Sequence, residues 1–124
     1  MRAMIVDISK SLTVLLCQHL ADQKVKTIGE TQGSAALQML KQVQCDLICV
    51  ALHLEDMDGI EFVKQLRQIP AHHSTQVFLL TSSGDAQRLI DAKEAGANEI
   101  FQKSNVNELL HRVTDWCQNH QAAS

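Results

Sequence analysis

Short apolar runs alternate with longer stretches of helical periodicity along the whole chain, and this alternation constrains the fold more than any other feature. The apolar runs are residues 3–6, 25–28, 47–52, 77–80 and 99–101. Runs of this length are typical of strands, and apolar side chains recurring at steps of three and four between them predict amphipathic helices. Strands that alternate with helices predict one parallel sheet with helices on both faces.

The polarity of these runs predicts how the strands are ordered. Residues 3–6, 47–52 and 77–80 are almost continuously apolar, which is typical of strands covered on both faces. Residues 25–28 are more polar, as in an edge strand. With right-handed crossovers, these features predict an α/β fold, a doubly wound (βα)5 sheet in the flavodoxin-like order 2-1-3-4-5.

Local signals mark the helix ends. Asp58 precedes a helix that starts near Gly59, and Asn105 with Glu108 three residues later is a variant of the capping box. Gly96 is a typical C-cap. The apolar stripe of the fourth helix is assigned to Leu89, Ile90, Ala92 and Ala95.

Size and composition indicate one domain. The chain has 124 residues, 45% of them hydrophobic and 20% charged, with a formal net charge of −3. The absence of a basic cluster argues against direct binding to nucleic acid or to a membrane surface. Because no signal-peptide pattern or membrane-length apolar run is present, we expect a cytoplasmic location. We predict a domain over residues 1–119 and a tail, or the start of a linker, over residues 120–124.

The cysteines and histidines form no pattern that indicates a metal or redox site. Cys17, Cys45, Cys49 and Cys117 include no C-x-x-C pair, so we expect reduced core thiols. The adjacent His72 and His73 follow Pro70 and are interpreted as solvated loop residues rather than a metal pair. The remaining helical histidines, expected to face solvent, are His19, His111 and His120.

Chemistry is expected at the carboxyl ends of the strands, because ligands of doubly wound sheets bind there. The residues at those ends are Asp7-Ile8, Ala51 to His53, Thr81-Ser82 and Lys103-Ser104. One carboxylate, a hydroxyl pair and one lysine are a poor set for holding a metal or a phosphate. Residues 82–84 are interpreted as a loop with Asp85 as the next N-cap, rather than an anion-binding turn.

Four segments together resemble the response-regulator receiver family, and the likeness covers the whole chain. Residues 6–9 are similar to the end of its first strand, and residues 46–59 to its third strand and acidic loop. Residues 80–82 resemble the end of its fourth strand, and residues 95–103 the approach to its fifth. The resemblance implies a CheY-like fold.

The resemblance also implies which reaction this edge carries in the family. Ala51 stands where a receiver has the aspartate that accepts a phosphoryl group from a histidine kinase, and a methyl group cannot accept phosphate. Ile8 replaces the second acid of the first strand, which usually ligates Mg²⁺. Asp7 matches the first acid of the first strand, and His53 matches the residue whose backbone carbonyl completes the metal shell. Thr81, followed by Ser82, matches the hydroxyl that contacts a phosphoryl oxygen, and Lys103 matches the lysine that pairs with the phosphoryl group. Ile100 stands where many receivers have the aromatic switch residue.

We therefore predict a pseudo-receiver, a signalling module that is not an enzyme and has lost phosphorylation. Mg²⁺ binding is not expected, because this ion requires several hard oxygen ligands. Asp7 and Lys103 are expected to form a residual ion pair, since an unpaired buried charge is costly. Ile8 and Ala51 would then fill the former metal pocket with apolar volume.

Two alternatives remain open. The phosphoacceptor could have moved to Glu55, Asp56 or Asp58, which lie on the correct side of the third strand, whereas Asp46 lies at its other end. The simpler interpretation of the three loop acids is a solvated turn in which Asp58 caps a helix. The second alternative is a flavodoxin-like module that binds a small molecule, which would need a polar, convergent pocket.

The expected partners are another signalling protein or an output domain of the same polypeptide. The other candidate partner is a second copy of the chain, which would form a homodimer through the face of the fourth helix, fifth strand and fifth helix. Candidate contacts, which otherwise form a charged solvated face, are Arg88, Asp91, Lys93, Glu94, Glu108, His111, Arg112 and Asp115.

Overall fold

A computed structural model describes residues 1–82 and 84–122, in which five strands alternate with five α-helices. The strands are β1 Arg2–Val6, β2 Lys26–Glu30, β3 Leu47–Ala51, β4 Gln76–Thr81 and β5 Glu99–Gln102. The helices are α1 Lys10–Asp22, α2 Gly33–Leu40, α3 Gly59–Arg67, α4 Ala86–Ala95 and α5 Val106–Ala122, with one 3₁₀ turn over Pro70–His72.

All strand pairs are parallel, and the order β2-β1-β3-β4-β5 confirms the predicted doubly wound fold. The apolar strands β1, β3 and β4 occupy the centre and are almost completely buried. The more polar β2 lies at an edge, as predicted. Parallel pairing brings the carboxyl ends of all five strands to the same edge of the sheet.

The helices cover two separate cores. On one face, α2, α3 and α4 pack on a core that includes Phe62 and Leu66, and on the other α1 and α5 enclose Leu16, Phe78 and Trp116. All four cysteines are free thiols. Burial raises the pKa of the Cys49 thiol to about 12, as expected for an unreactive core thiol.

The predicted helix caps are present. Asp58 and Asp85 accept hydrogen bonds from backbone N–H groups in the first turns of α3 and α4. Gly96 ends α4 with a φ of 122°, a left-handed conformation that favours glycine. Asn105 accepts from the backbone N–H of Glu108 at 3.4 Å and donates to its carboxylate at 2.7 Å.

The last helix is longer than the sequence suggested. Because α5 continues to Ala122, the segment assigned to a tail is helical from residue 120 to residue 122. Ala123 and Ser124 lie outside the described residues. No helix in the described part of the chain is both long and apolar enough to span a membrane.

His72 is buried, which corrects its interpretation as a solvated loop residue. The 3₁₀ turn that starts at Pro70 directs the ring inward, where Nε2 donates to the carbonyl oxygen of Leu40 at 2.8 Å. Nδ1 lies 2.9 Å from the hydroxyl of Thr75. His73 is exposed, as predicted.

His19 also differs from the prediction that it faces solvent. Its Nε2 donates to the carbonyl oxygen of Leu110 at 3.1 Å and lies 2.7 Å from the hydroxyl of Thr114. Because α1 and α5 pack side by side, a half-buried residue on the flank of α1 reaches α5. His111 and His120 are exposed, as predicted.

Candidate functional site

The predicted edge residues come together where four strands end. Asp7 directly follows β1, Ala51 ends β3, Thr81 ends β4 and Lys103 follows β5. The Lys103 backbone N–H donates to the carbonyl oxygen of Thr81 at 2.8 Å, which fixes the β5 end against β4. The carboxyl edge of the sheet therefore brings these four residues together.

Asp7 and Lys103 form the predicted ion pair. The Lys103 Nζ lies 3.0 Å from Asp7 Oδ1 and 2.9 Å from Oδ2, with hydrogen-bond geometry only to Oδ1. The Asp7 side chain is 0% exposed and that of Lys103 28%. Oδ1 also accepts from the backbone N–H of Ser9 at 3.0 Å. The buried carboxylate is thus held by one cation and one backbone donor.

Ala51 is buried, but Ile8 is not, which corrects the prediction that both fill the former metal pocket. Ala51 is 1% exposed at the end of β3, whereas Ile8 is 50% exposed. Successive side chains of an extended segment point in opposite directions, so Ile8 turns outward where Asp7 turns inward. The edge next to Asp7 therefore presents an apolar side chain to solvent.

A small cavity opens beside this edge. Its volume is about 200 Å³, and it is lined by Ile8, Leu52, His53, Leu80, Thr81, Ser82 and Lys103. None of these residues is acidic. Ser83 of the loop that follows β4 lies outside the described residues. The prediction that residues 82–84 form a plain loop and not an anion-binding turn therefore stays a prediction.

Asp56 has a structural role that the sequence analysis did not assign. Its Oδ1 accepts from the backbone N–H of Gly33 at 2.7 Å, and its Oδ2 accepts from the backbone N–H and hydroxyl of Ser34. Asp56 thereby caps α2 from a distant loop. The Ser34 hydrogen bonds hold the pKa of the Asp56 carboxyl below its usual range, although partial desolvation opposes them.

The other loop acids are also engaged, so this segment is more than a solvated turn. Asp58 caps α3 by accepting from Ile60 N–H at 2.7 Å, and it also forms an ion pair with Arg88 of α4. Glu55 accepts from the hydroxyl of Thr31 at 3.3 Å. An aspartate placed 23 residues from its cap partner gives no local sequence signal, which explains why the link to α2 was missed.

Gly59 anchors the loop to the end of β3. Its N–H donates to the carbonyl oxygen of Leu52 at 2.6 Å. A Cβ atom at this position would collide with the carbonyl oxygen of Ala51. The close approach requires glycine, and it holds Asp58 beside the strand end.

The oxygen ligands near the edge are few. In residues 1–82 and 84–122, no group of three or more histidine, cysteine, aspartate or glutamate side chains has a geometry that could hold a metal ion. Ile8 and Ala51 contribute no ligand atom from their side chains, and Asp7 is already paired with Lys103.

The face formed by α4, β5 and α5 carries an exposed apolar groove. The groove has a volume of about 540 Å³, and its apolar lining comes from Leu89, Ile90, Ile100 and Phe101. Ile90 is 50% exposed, which corrects its assignment to the core stripe of α4. Residues that are two positions apart in a helix point to nearly opposite sides. Ile90 therefore cannot lie on the buried face that Ala92 occupies.

The charged residues predicted for this face divide into two groups. Arg88 pairs with Asp58, and Arg112 pairs with Glu99 at 2.7 Å while its guanidinium lies 5.7 Å from the Phe78 ring centroid. The residues that are exposed on α4 and α5 are Lys93, Glu94, Glu108, His111 and Asp115, and Asp91 is half-buried. Arg88 and Arg112, two of the predicted contact residues, therefore already form ion pairs within the domain.

The chain matches the family model of the response regulator receiver domain over residues 3–114. Among characterised relatives, the chemotaxis protein CheY of Bacillus subtilis is 26% identical over 117 residues, which covers 90% of this chain and 96% of that protein.

Solved structures show the same architecture. The chemotaxis response regulator CheY4 of Vibrio cholerae superimposes with a TM-score of 0.84 at 23% identity, covering 94% of this chain and 97% of the other. A putative response regulator from Chloroflexus aurantiacus gives a TM-score of 0.83 at 27% identity with the same coverage. The fold similarity therefore extends over nearly the whole domain.

Proposed function

The chain belongs to the response regulator receiver family, and we propose that it acts in two-component signalling as a receiver that is not phosphorylated. The observation that carries the proposal is the arrangement at the carboxyl edge. Ala51 is buried at the phosphoacceptor position, and Lys103 is engaged by Asp7. In this proposal, the domain acts by binding partners and not by carrying a covalent phosphoryl group.

Phosphoryl transfer requires an in-line nucleophile and neutralisation of the charge that develops on the phosphoryl oxygens. A methyl group at Ala51 supplies no nucleophile. The loop acids are poor substitutes, because Asp56 caps α2 and Asp58 caps α3 while it pairs with Arg88. Asp46 directly precedes β3, at the far end of the strand.

The residues at the edge do not fit a Mg²⁺ site. This ion prefers octahedral oxygen ligands, of which protein carboxylates are the most important. Two carboxylates lie at the strand ends in the described part of the chain: Asp7 after β1 and Glu30 at the end of β2. The charge of Asp7 is compensated by Lys103 at 2.9 Å, and β1 separates β2 from β3, so Glu30 lies one strand further from Ala51. The proposed function therefore involves no metal-dependent step.

The proposed binding surface is the groove of α4, β5 and α5. Leu89, Ile90 and Ile100 expose apolar area, and charged side chains border it. An apolar centre with a polar rim is the usual composition of a protein interface. The proposed partners are a second copy of the domain, another signalling protein or an output domain of the same polypeptide.

Incubation with acetyl phosphate and Mg²⁺, followed by intact mass measurement, tests the proposal. We expect no gain of a phosphoryl mass on the wild-type chain, with B. subtilis CheY treated in parallel for comparison. A stoichiometric gain would contradict the proposal. Mapping that adduct would then identify Glu55, Asp56 or Asp58 as the relocated acceptor.

A further inference from the structure

The two halves of α4 are attached to the domain very differently. In the C-terminal half, Ala92 is buried and Ala95 packs against the same core. Residues 86–91, all of them described, form the N-terminal half and contribute no side chain to either core. Of the ten described residues of α4, Ala92 is the only buried one, whereas five residues of α3 are buried. Segments with few buried apolar contacts open locally at a low cost in free energy.

Grooves lie on both sides of this helix. The groove between α4 and α3 has a volume of about 540 Å³, and its walls include Lys64 and Gln68 of α3 with Arg88 and Asp91 of α4. The apolar groove described above lies on the other side, where Leu89 and Ile90 form part of its wall. The first turns of α4 therefore have open space on two sides, and the packing around them does not hold them in place.

The C-terminal end of α4 is firmly anchored. Arg67 of α3 donates from Nε and Nη2 to the carbonyl oxygen of Gly96, at 3.2 and 2.7 Å. Lys93 Nζ donates to the carbonyl oxygen of Asn98 at 3.0 Å, and Ala97, which is buried, follows the helix directly. Side-chain and core contacts thus fix this end independently of the N-terminal half.

Arg88 ties the N-terminal half of α4 to the loop that follows β3. Its Nη2 donates to Oδ2 of Asp58, whose Oδ1 accepts from the backbone N–H of Ile60 at 2.7 Å. Asp58 is itself held in place, because it forms an antiparallel bridge with His53 and directly precedes the anchored Gly59. A fixed carboxylate therefore holds a guanidinium that belongs to the loosely packed half of the helix.

We propose that the Asp58–Arg88 ion pair is a latch that keeps the N-terminal half of α4 folded on the domain. When the pair is broken, this half detaches and unwinds, because short helical segments without tertiary packing are marginal in water. Leu89 and Ile90 lie in the same turn as Arg88, so opening the latch removes part of the wall of the apolar groove. The latch thereby couples the loop after Ala51 to that groove through an order–disorder step. It needs no phosphoryl group and does not rest on the proposed loss of phosphorylation.

Amide hydrogen exchange of the unmodified chain, followed by ¹H–¹⁵N NMR, tests the latch in the variant Arg88→Gln. Glutamine has nearly the same helix propensity as arginine, so the substitution removes the charge without weakening the helix itself. We expect the amides of residues 89–92 to exchange about two- to fivefold faster, the range for a partly exposed ion pair. The amides of Gly96 and Ala97, which bond to carbonyls in the anchored half, should keep their wild-type rates. Arg112→Gln is the matched control, because it breaks the similarly exposed pair with Glu99 and should leave α4 unchanged.

Asp58→Asn tests the latch from the other side, because asparagine is as good an N-cap for α3 as aspartate but carries no charge. It should accelerate exchange at residues 89–92 to the same extent, and the double variant with Arg88→Gln should exchange no faster than either single one. Raising the salt concentration to about 1 M should speed exchange there in the wild type and leave Arg88→Gln unaffected. Unchanged rates at residues 89–92 in either folded single variant, additive effects in the double variant, or an equal rise at Gly96 and Ala97 would overturn the proposal.

Discussion

Lys103 neutralises Asp7 across the carboxyl edge of the sheet, with its Nζ 2.9 Å from a carboxylate that is fully buried. The pair joins the ends of β1 and β5, the first and last strands along the chain. The charge of the buried Asp7 carboxylate is therefore balanced within the domain.

Lys103→Met should destabilise the domain, because it leaves the Asp7 carboxylate buried without its cation. We expect a loss of about 2–3 kcal/mol in the free energy of unfolding, below the value for a fully buried pair since Lys103 is 28% exposed. Urea denaturation at pH 7 measures it. The double variant Asp7→Asn with Lys103→Met should recover most of the loss, and a wild-type midpoint for Lys103→Met alone would refute the assignment.

His72→Ala should also destabilise, for a different reason. The substitution removes a buried ring and leaves the Leu40 carbonyl oxygen and the Thr75 hydroxyl without that partner. We expect a loss of about 2–4 kcal/mol, measured by chemical denaturation. The neighbouring His73→Ala is the control, because His73 is exposed and should change stability by no more than about 0.5 kcal/mol. Equal effects of the two substitutions would contradict the observed burial.

The parts of the fold that depend on periodicity could be predicted from the sequence. Strand order followed from the continuous apolar character of the central runs, which the burial of β1, β3 and β4 reproduces. Element order places Asp7 and Lys103 at one edge, because parallel strand ends meet there. The ion pair itself is implied by the resemblance to receivers, in which these two positions face each other, together with the cost of an unpaired buried charge, and the structure has this pair.

The features that were missed lie where the backbone is irregular. His72 turns inward because of a 3₁₀ turn, and Ile8 turns outward in the bend between β1 and α1. Asp56 caps a helix 23 residues earlier in the chain, a contact that depends on the path of two loops. No short-range sequence period encodes the directions of His72 and Asp56, whereas the outward direction of Ile8 continues the alternation of β1 one residue past Asp7.

Asp56→Ala should lower the melting temperature in a pH-dependent way. The folded-state pKa of Asp56 lies below its unfolded value because Ser34 and the α2 backbone bind the carboxylate. Its contribution is therefore complete at neutral pH and is lost as the pH falls through the folded-state pKa. We expect the difference between wild type and variant, followed by circular dichroism, to narrow as the pH drops below about 4. The exposed Asp115→Ala serves as the control, and a difference for Asp56→Ala that grows with acid would refute the cap.

Restoring phosphorylation should require changes at two strand ends. Ala51→Asp alone supplies an acceptor, but Ile8 still withholds the second carboxylate that a metal needs, and Asp7 remains paired with Lys103. We expect intact mass measurement to show no aspartyl phosphate on the Ala51→Asp single variant after incubation with acetyl phosphate and Mg²⁺. The double variant Ile8→Asp with Ala51→Asp should gain a phosphoryl mass with Mg²⁺, and it should show no such gain when EDTA replaces Mg²⁺ during the incubation. Ile8→Asp alone is the matched control without an acceptor. Efficient modification of the Ala51→Asp single variant would show that Ile8 is not the obstacle, and the loss of function would then rest on Ala51 alone.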